Sequence, residues 1–120
     1  MIRPVSILVF LLMYTTTIFA TTLHVPSSYN TISAALWACQ QNDTVLVQPG
    51  VYIESIVWPA VDGIKLISTG DSSNTIISGG NVGRPLTIIS SSLITGNTII
   101  KGFSIRDGRL TNTNENKGAG

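Results

Sequence analysis

The chain has 120 residues, of which 43% are hydrophobic and only 11% are charged. That composition excludes a disordered charged tail and a salt-bridged helical bundle, and the length excludes two full domains. The formal net charge is +1, and the Lys and Arg residues beyond Arg3 are spread singly along the chain, so we expect no nucleic-acid partner.

The first twenty residues follow the three-part pattern of a secretory signal peptide. Arg3 provides a short cationic start, Val5 to Tyr14 are almost wholly apolar, and the segment ends in Ile-Phe-Ala20. A membrane anchor is the alternative, but the uncharged run that ends at Ala20 is shorter than the ~20 apolar residues of a spanning helix and contains three Thr. We therefore predict a signal peptide at 1–20, cleaved after Ala20, and an extracellular or cell-surface protein with no membrane span after cleavage.

Residues 21–43 are predicted to form an N-terminal strand and a capping helix. Leu23 to Val25 form a short apolar strand, and Asn30 or Thr31 can cap a helix that runs to Gln41. Ile32, Ala35, Leu36 and Cys39 share one face of that helix.

Cys39 is the only cysteine of the chain, so it has no internal disulfide partner. Its place on the apolar helix face predicts a small buried residue rather than a reactive thiol. Asn42 and Asp43 end the helix. Asn42-Asp43-Thr44 also matches the N-glycosylation sequon, which matters only in a eukaryotic host.

From Thr44 onward, short apolar segments alternate with turns rich in Gly, Asn, Ser and Asp, which predicts an all-β region. The predicted strands are Val45–Val47, Ile53–Trp58, Ile64–Ile67, Thr75–Ile77, Leu86–Ile89, Thr98–Ile100 and Phe103–Ile105. The order of residues within Thr44 to Val47 does not show which of them face inward, because three consecutive apolar positions obscure an alternation.

Internal similarity at intervals of 20 to 23 residues indicates a repeat. Asn74-Thr-Ile-Ile77 returns unchanged as Asn97-Thr-Ile-Ile100, and Gly79 matches Gly102. Leu46-Val47, Leu66-Ile67 and Ile88-Ile89 form a second series, and Gly50 matches Gly70.

A leucine-rich repeat has this period, but residues 44–105 contain few Leu and no second helical segment. A parallel β-helix, in which equivalent residues of successive coils stack at about 4.8 Å, fits better. It also explains the scarcity of charge, because stacked like charges repel. We predict that Asn74 and Asn97 stack as an amide pair and that the helix covers the first coil, with Ile32, Leu36 and Cys39 touching Val45 and Val47.

Several segments together resemble the N-terminal part of exported right-handed parallel β-helix proteins of the pectate-lyase-like superfamily. They are Tyr29–Leu36, Asn42–Val47, Pro49–Glu54, Thr75–Gly79 and Ile99–Ile105. The family more often has Gly where Asn42 stands. The resemblance implies an all-β right-handed solenoid with an N-terminal capping helix, residues 44–120 forming its first three to four coils, and a chain truncated at its C-terminal end.

This superfamily includes polysaccharide lyases, glycoside hydrolases, uronan epimerases and non-catalytic surface proteins, so the resemblance does not specify an activity. Its lyases typically use Ca²⁺ held by carboxylates, together with a basic residue that removes a proton. No such cluster matches here, so we assign no catalytic, cofactor-binding or metal residue and no cofactor. Ca²⁺ is expected only if the full-length chain is a lyase.

The candidate site residues all have simpler structural explanations. Asp62, Asp71 and Asp107 are expected in turns rather than at a metal ion, and Arg84, Arg106 and Arg109 as solvated turn cations rather than contacts to an acidic sugar. Nothing places Glu54 and Asp71 together as a hydrolase pair. Tyr52, Trp37 and Trp58 are expected to pack, and His24 has no nucleophile partner.

Two functions remain open. The first is a non-catalytic scaffold at the cell surface that binds glycans or partner proteins. The second is a lyase or hydrolase acting on an acidic polysaccharide, with its chemistry beyond Gly120.

Overall fold

The computed structural model describes residues 19–109, which form an all-parallel β-solenoid of about three turns with one short helix. The elements are β1 (Thr22–Val25), α1 (Ile32–Ala38), β2 (Thr44–Val47), β3 (Gly50–Ile53), β4 (Ile56–Val57), β5 (Lys65–Ser68), β6 (Thr75–Ser78), β7 (Leu86–Thr87), β8 (Ile99–Lys101) and β9 (Ser104–Arg106). The predicted parallel β-helix is confirmed. The predicted signal peptide and the last predicted coil residues fall largely on 1–18 and 110–120, outside the described residues.

Three parallel sheets form the walls of the solenoid. Sheet A has the order β1-β2-β5-β8, sheet B the order β3-β6-β9, and sheet C pairs β4 with β7. The chain visits the three sheets in this order in each coil, because the turns between them are too short for anything but a change of direction. Corresponding residues of sheet A are Thr22, Thr44, Lys65 and Ile99, so the three coil steps are 22, 21 and 34 residues.

The core consists of columns of inward-facing side chains. In sheet A, Leu23, Val45, Leu66 and Ile100 stack in register, which brings aliphatic groups of successive coils into contact. Val45 is fully buried, as is Val47 two residues later, whereas Thr44 and Leu46 are half-buried. Strand β2 therefore alternates, and the inward face that the sequence leaves open consists of its two valines.

The predicted stacking register is wrong by one residue in sheet A. Leu66 lies beside Val45 rather than Leu46, and a shift of one residue exchanges the inner and outer faces of a strand. Ile88 and Ile89, predicted to continue the same series, lie after β7 outside any strand and are 52% and 47% exposed. The long second coil, with extra residues in its turns, breaks the constant period on which the prediction relied.

The predicted amide stack of Asn74 and Asn97 is also wrong. Asn74 precedes β6 in sheet B, whereas Asn97 precedes β8 in sheet A, so the two residues occupy different walls. The side-chain oxygen of Asn74 accepts a hydrogen bond from the amide of Asp71 at 3.0 Å within its own turn. The repeated Asn-Thr-Ile-Ile string marks the passage from a turn into a strand rather than an equivalent place in successive coils.

The two glycine matches fail for the same reason. Gly50 pairs with Thr75, not with Gly70, and Gly102 lies against Ser68 while Gly79 lies beside Gly83 and Asp107. The predicted strand at Ile53–Trp58 is two strands, because Ile53 ends β3 and the chain turns before β4.

Helix α1 covers the first coil, as predicted. Thr31 is its N-cap, and the Thr31 hydroxyl accepts a hydrogen bond from the Ala34 amide at 3.0 Å. Its buried residues, Ile32, Ala35 and Leu36, belong to one hydrophobic cluster with Val45 and Val47.

Helix α1 ends at Ala38, three residues before the predicted end at Gln41. Cys39 has an extended backbone, and the Gln40 amide donates to the carboxylate of Asp43 at 2.8 Å instead of to a helical carbonyl. The Asp43 side chain thus closes a turn where the sequence periodicity predicts continued helix. Cys39 itself is buried, as predicted.

The turn that follows the helix depends on two residues with positive φ. Asn42 has φ +69°, a conformation that Asn tolerates better than other non-glycine residues, which explains how it stands where the resembled family has Gly. Gly63 in the next coil has φ +77°, and a Cβ there would overlap the side-chain oxygen of Asn42. The two turns therefore stack closely only because residue 63 has no side chain.

We expect Gly63→Ala to lower the free energy of unfolding by about 2 kcal/mol, because it adds backbone strain and a steric overlap at one position. Urea unfolding with an unchanged m-value measures this loss. Gly96→Ala is the matched control, since a Cβ at Gly96 meets no atom within 4 Å. Equal effects of the two substitutions would contradict the explanation.

Candidate functional site

Three arginines come together at the corner between sheets B and C. The turn of residues 79–85 and the segment 106–109 lie one above the other, joined by backbone hydrogen bonds. The Gly79 amide donates to the Arg106 carbonyl at 3.0 Å, and the Arg109 amide donates to the Gly83 carbonyl at 2.9 Å. We call this feature, with the exposed side chains of Arg84, Arg106 and Arg109, the arginine corner.

Gly79 allows the two backbones of the arginine corner to approach. A Cβ at this position would overlap the Gly83 carbonyl oxygen and lie 2.8 Å from that of Asp107. Asp107 has φ +58°, and its carboxylate accepts a hydrogen bond from the Ser78 hydroxyl at 3.0 Å. The glycine and the turned aspartate thus fix the backbone from which the arginines project.

The charge at the arginine corner is predominantly positive. Residues 19–109 contain five Lys and Arg side chains, and three of them lie here. The only carboxylate of the corner is Asp107, whose oxygen lies 3.6 Å from Arg106 Nε in an exposed pair. One cation is therefore partly neutralised, and Arg84 and Arg109 have no ion-pair partner within the described part of the chain.

The predicted metal candidates are dispersed over the solenoid. Asp62 lies in the connection from sheet C to sheet A and accepts a hydrogen bond from the Thr95 hydroxyl at 2.6 Å. Asp71 lies in the turn before β6, and hydrogen bonds from Ser73 lower the pKa of its carboxyl. Within residues 19–109, no three His, Cys, Asp or Glu side chains are close enough to hold a metal ion.

Glu54 and Asp71 lie at opposite ends of sheet B, so the structure does not bring this hydrolase candidate pair together. The two carboxylate oxygens of Glu54 accept hydrogen bonds from the amides of Ile32 and Ser33 at 2.8 and 2.9 Å. Glu54 therefore connects the second coil to the first turn of α1 and satisfies amides that a helix leaves free. The sequence did not indicate this contact, because the residues lie more than 20 positions apart.

We expect Glu54→Ala to lower the free energy of unfolding by about 2 kcal/mol, because two backbone amides lose a charged acceptor. Glu54→Gln keeps one acceptor oxygen and should lose about half as much. Chemical denaturation followed by far-UV circular dichroism measures both variants. A loss below about 0.5 kcal/mol for the alanine variant would show that the contact is energetically unimportant.

The aromatic candidates divide into buried and exposed residues. Trp58 is 1% exposed and packs in the core, and Tyr52 is half-buried with its hydroxyl donating to the Gln48 carbonyl at 2.7 Å. Trp37 differs from the expectation of packing because 62% of it is exposed, although its indole N–H donates to the Val57 carbonyl at 2.9 Å. His24 is exposed on the outer face of sheet A.

The Cys39 thiol has the environment of a structural cysteine. Burial, together with the negative charge of Asp43, raises its pKa to about 12. The thiolate is the reactive form, so the folded protein holds almost none of it at neutral pH.

At pH 8, we expect iodoacetamide to alkylate Cys39 in the folded protein at least ~100-fold more slowly than in urea-unfolded protein. Mass spectrometry of timed samples measures both rates, and a Cys39→Ala variant provides the blank. Since the folded pKa lies above the unfolded one, this group stabilises the fold at low pH and the contribution is lost above about pH 9. Equal rates in the two states would contradict the burial.

No helix among residues 19–109 is long and apolar enough to cross a membrane. No family model, curated protein or solved structure matches this chain. The architecture thus rests on the coordinates, and the resemblance to pectate-lyase-like proteins stays a prediction.

Proposed function

We propose that this chain is an exported, right-handed β-helix of the pectate-lyase-like type that binds an acidic glycan outside the cell through its arginine corner. It acts as a scaffold and performs no catalysis with residues 19–109. The observation that carries the proposal is the stacking of three exposed arginines at one edge, because guanidinium groups bind carboxylates in a planar, two-pronged arrangement.

The shape of the solenoid suits a polymeric ligand. Successive coils repeat along an axis, so Arg84 in one coil and Arg109 in the next offer cations in sequence along the corner. A chain of uronate sugars presents carboxylates at a similar repeated interval. The remaining carboxylates near the arginines are few, which leaves the corner without the paired acid and base that glycoside hydrolysis requires.

Export is supported by the pattern of residues 1–20 and by a fold that needs no disulfide. Additional coils that stack on β8 and β9 belong to the same proposal. Ile100 and Ile105 occupy inward-facing columns and are nevertheless 37% and 44% exposed, so a further coil would bury them.

The proposal is tested by titrating the protein with oligogalacturonate in a calorimeter at low salt. We expect Arg84→Gln combined with Arg109→Gln to weaken binding about tenfold, since each exposed charge pair contributes up to about 1 kcal/mol. Lys65→Gln combined with Lys101→Gln is the matched control, because it removes two cations from sheet A, away from the corner.

Equal losses in the two double variants would show a general charge effect and would refute the arginine corner as the binding site. No binding to oligogalacturonate, with none to other uronans, would refute the acidic-glycan function. Absorbance from unsaturated product, appearing with Ca²⁺ and polygalacturonate, would instead support the alternative of a polysaccharide lyase.

A further inference from the structure

The ordered contacts of the solenoid begin at Thr21. Its amide donates to Asp43 Oδ1 at 2.8 Å, and its carbonyl accepts from the Thr44 amide at 2.9 Å. Phe19 and Ala20 precede it in an irregular, exposed conformation, with Phe19 75% exposed. The first residue that the fold holds is thus the first residue after the predicted cleavage position.

Asp43 is buried, with 3% of its surface exposed, although it carries a carboxylate. Its second oxygen accepts from the Gln40 amide at 2.8 Å, and no Lys, Arg or His side chain forms an ion pair with it within residues 19–109. A carboxylate removed from water without a cation is energetically unfavourable. The geometry leaves one place from which a cation can come, namely the nitrogen of Thr21.

We propose that Asp43 is a binding site for the α-ammonium group of Thr21, which forms when the Ala20–Thr21 peptide bond is cut, so that removal of the leader completes the fold. The inference rests on the export that is part of the proposed function. A leader-removing endopeptidase supplies the hydrolysis: water adds to the Ala20 carbonyl carbon, which leaves as a carboxylate, and the Thr21 nitrogen takes up the protons to become an ammonium.

The consequence for Asp43 is a change of partner at a fixed distance. Before cleavage, a neutral amide N–H lies 2.8 Å from Oδ1; afterwards, a positively charged ammonium occupies the same place. A charge-assisted hydrogen bond is roughly twice as strong as a neutral one. The partly open cleft of about 420 Å³ beside this point, lined by Ala20, Gln40, Gln41 and Asn42, leaves space for a solvated ammonium group.

The site also selects one terminus. If Ala20 is retained, the ammonium moves about 3.8 Å along the chain, away from the carboxylate, and Thr21 contributes only an amide again. If Thr21 is removed as well, the bond to the Thr44 amide disappears with it. A cut after Ala20 is therefore the one that places the charge at Asp43.

Other ionisable groups lie around the pair. The Cys39 thiol is close enough to feel the charge of Asp43, the Lys65 amide donates to the Asp43 carbonyl at 3.0 Å, and the Asp62 carbonyl accepts from Asn42. His24 lies on β1 with Thr22. The experiment is arranged as a cycle so that their contributions cancel.

The full chain is expressed in an exporting host, and the released protein is compared with a form that carries one additional alanine before Thr21. Both forms are made with Asp43 and with Asp43→Asn, which keeps an acceptor oxygen but removes the charge. Mass spectrometry identifies each N-terminus, and urea denaturation at pH 7 gives each unfolding equilibrium constant.

With Asp43, we expect the additional alanine to raise the unfolding equilibrium constant at least tenfold; with Asp43→Asn, this penalty should disappear. The α-amino group is also expected to titrate above the ordinary N-terminal range, so the advantage of the mature form persists at neutral pH and is lost as the pH rises through that raised pKa. An NMR titration of the Thr21 amino group in the unsubstituted protein measures this even if Asp43→Asn does not fold.

An equal penalty in both backgrounds, or an unraised pKa of the α-amino group, would overturn the proposed ammonium site. Released protein that starts at Met1 would refute the export on which the inference rests, whereas loss of glycan binding in otherwise normal mature protein would refute the proposed function alone. The three failures are therefore distinguishable.

Discussion

The fold depends on stacking parallel coils in register, so that backbone hydrogen bonds between coils and columns of aliphatic side chains form together. Leu23, Val45, Leu66 and Ile100 form one such column, and each is held by the same strands that satisfy its backbone polar groups. Neither interaction is available to a single coil, because an isolated coil has two open edges and an unfilled interior. Helix α1 and the side chain of Glu54 complete this arrangement at the first coil.

The same constraint governs the polar residues. A buried carboxylate is tolerated only where backbone amides meet it, and both Asp43 and Glu54 fulfil this condition by contacting residues of another element. The hydroxyls of Ser68 and Thr75 satisfy one another inside the second coil at 2.7 Å. The five acidic residues of the described chain thus have local partners, which explains why none of them forms a cluster suited to acid–base chemistry.

The sequence was sufficient to predict the class of fold, because short β-branched segments between turns leave few alternatives to a solenoid. It also predicted the Thr31 cap, the buried Cys39 and the role of Asn42 in a turn, since each of these follows from local backbone or side-chain chemistry. The register was predicted wrongly, because turn length varies between coils and sequence identity does not show which wall a strand joins.

The arginine corner escaped sequence analysis for the same reason. Arg84 is separated from Arg106 by more than 20 residues, and only the true register shows that their turns are stacked. Glu54 and Asp43 likewise act across coils, at sequence distances that no local pattern reveals. A search for residues one coil apart, carried out with variable turn lengths, is the signal that would have identified these contacts.

The second inward column of sheet A changes composition along the solenoid. Val25 and Val47 are followed by Ser68, and Gly102 lies against that serine. The interior thus passes from methyl groups to a hydroxyl and then to bare backbone, so successive coils contribute less and less apolar contact. Protection against amide hydrogen exchange should consequently follow a gradient, with the helix-covered end opening last and each later coil fraying more readily than the one before it.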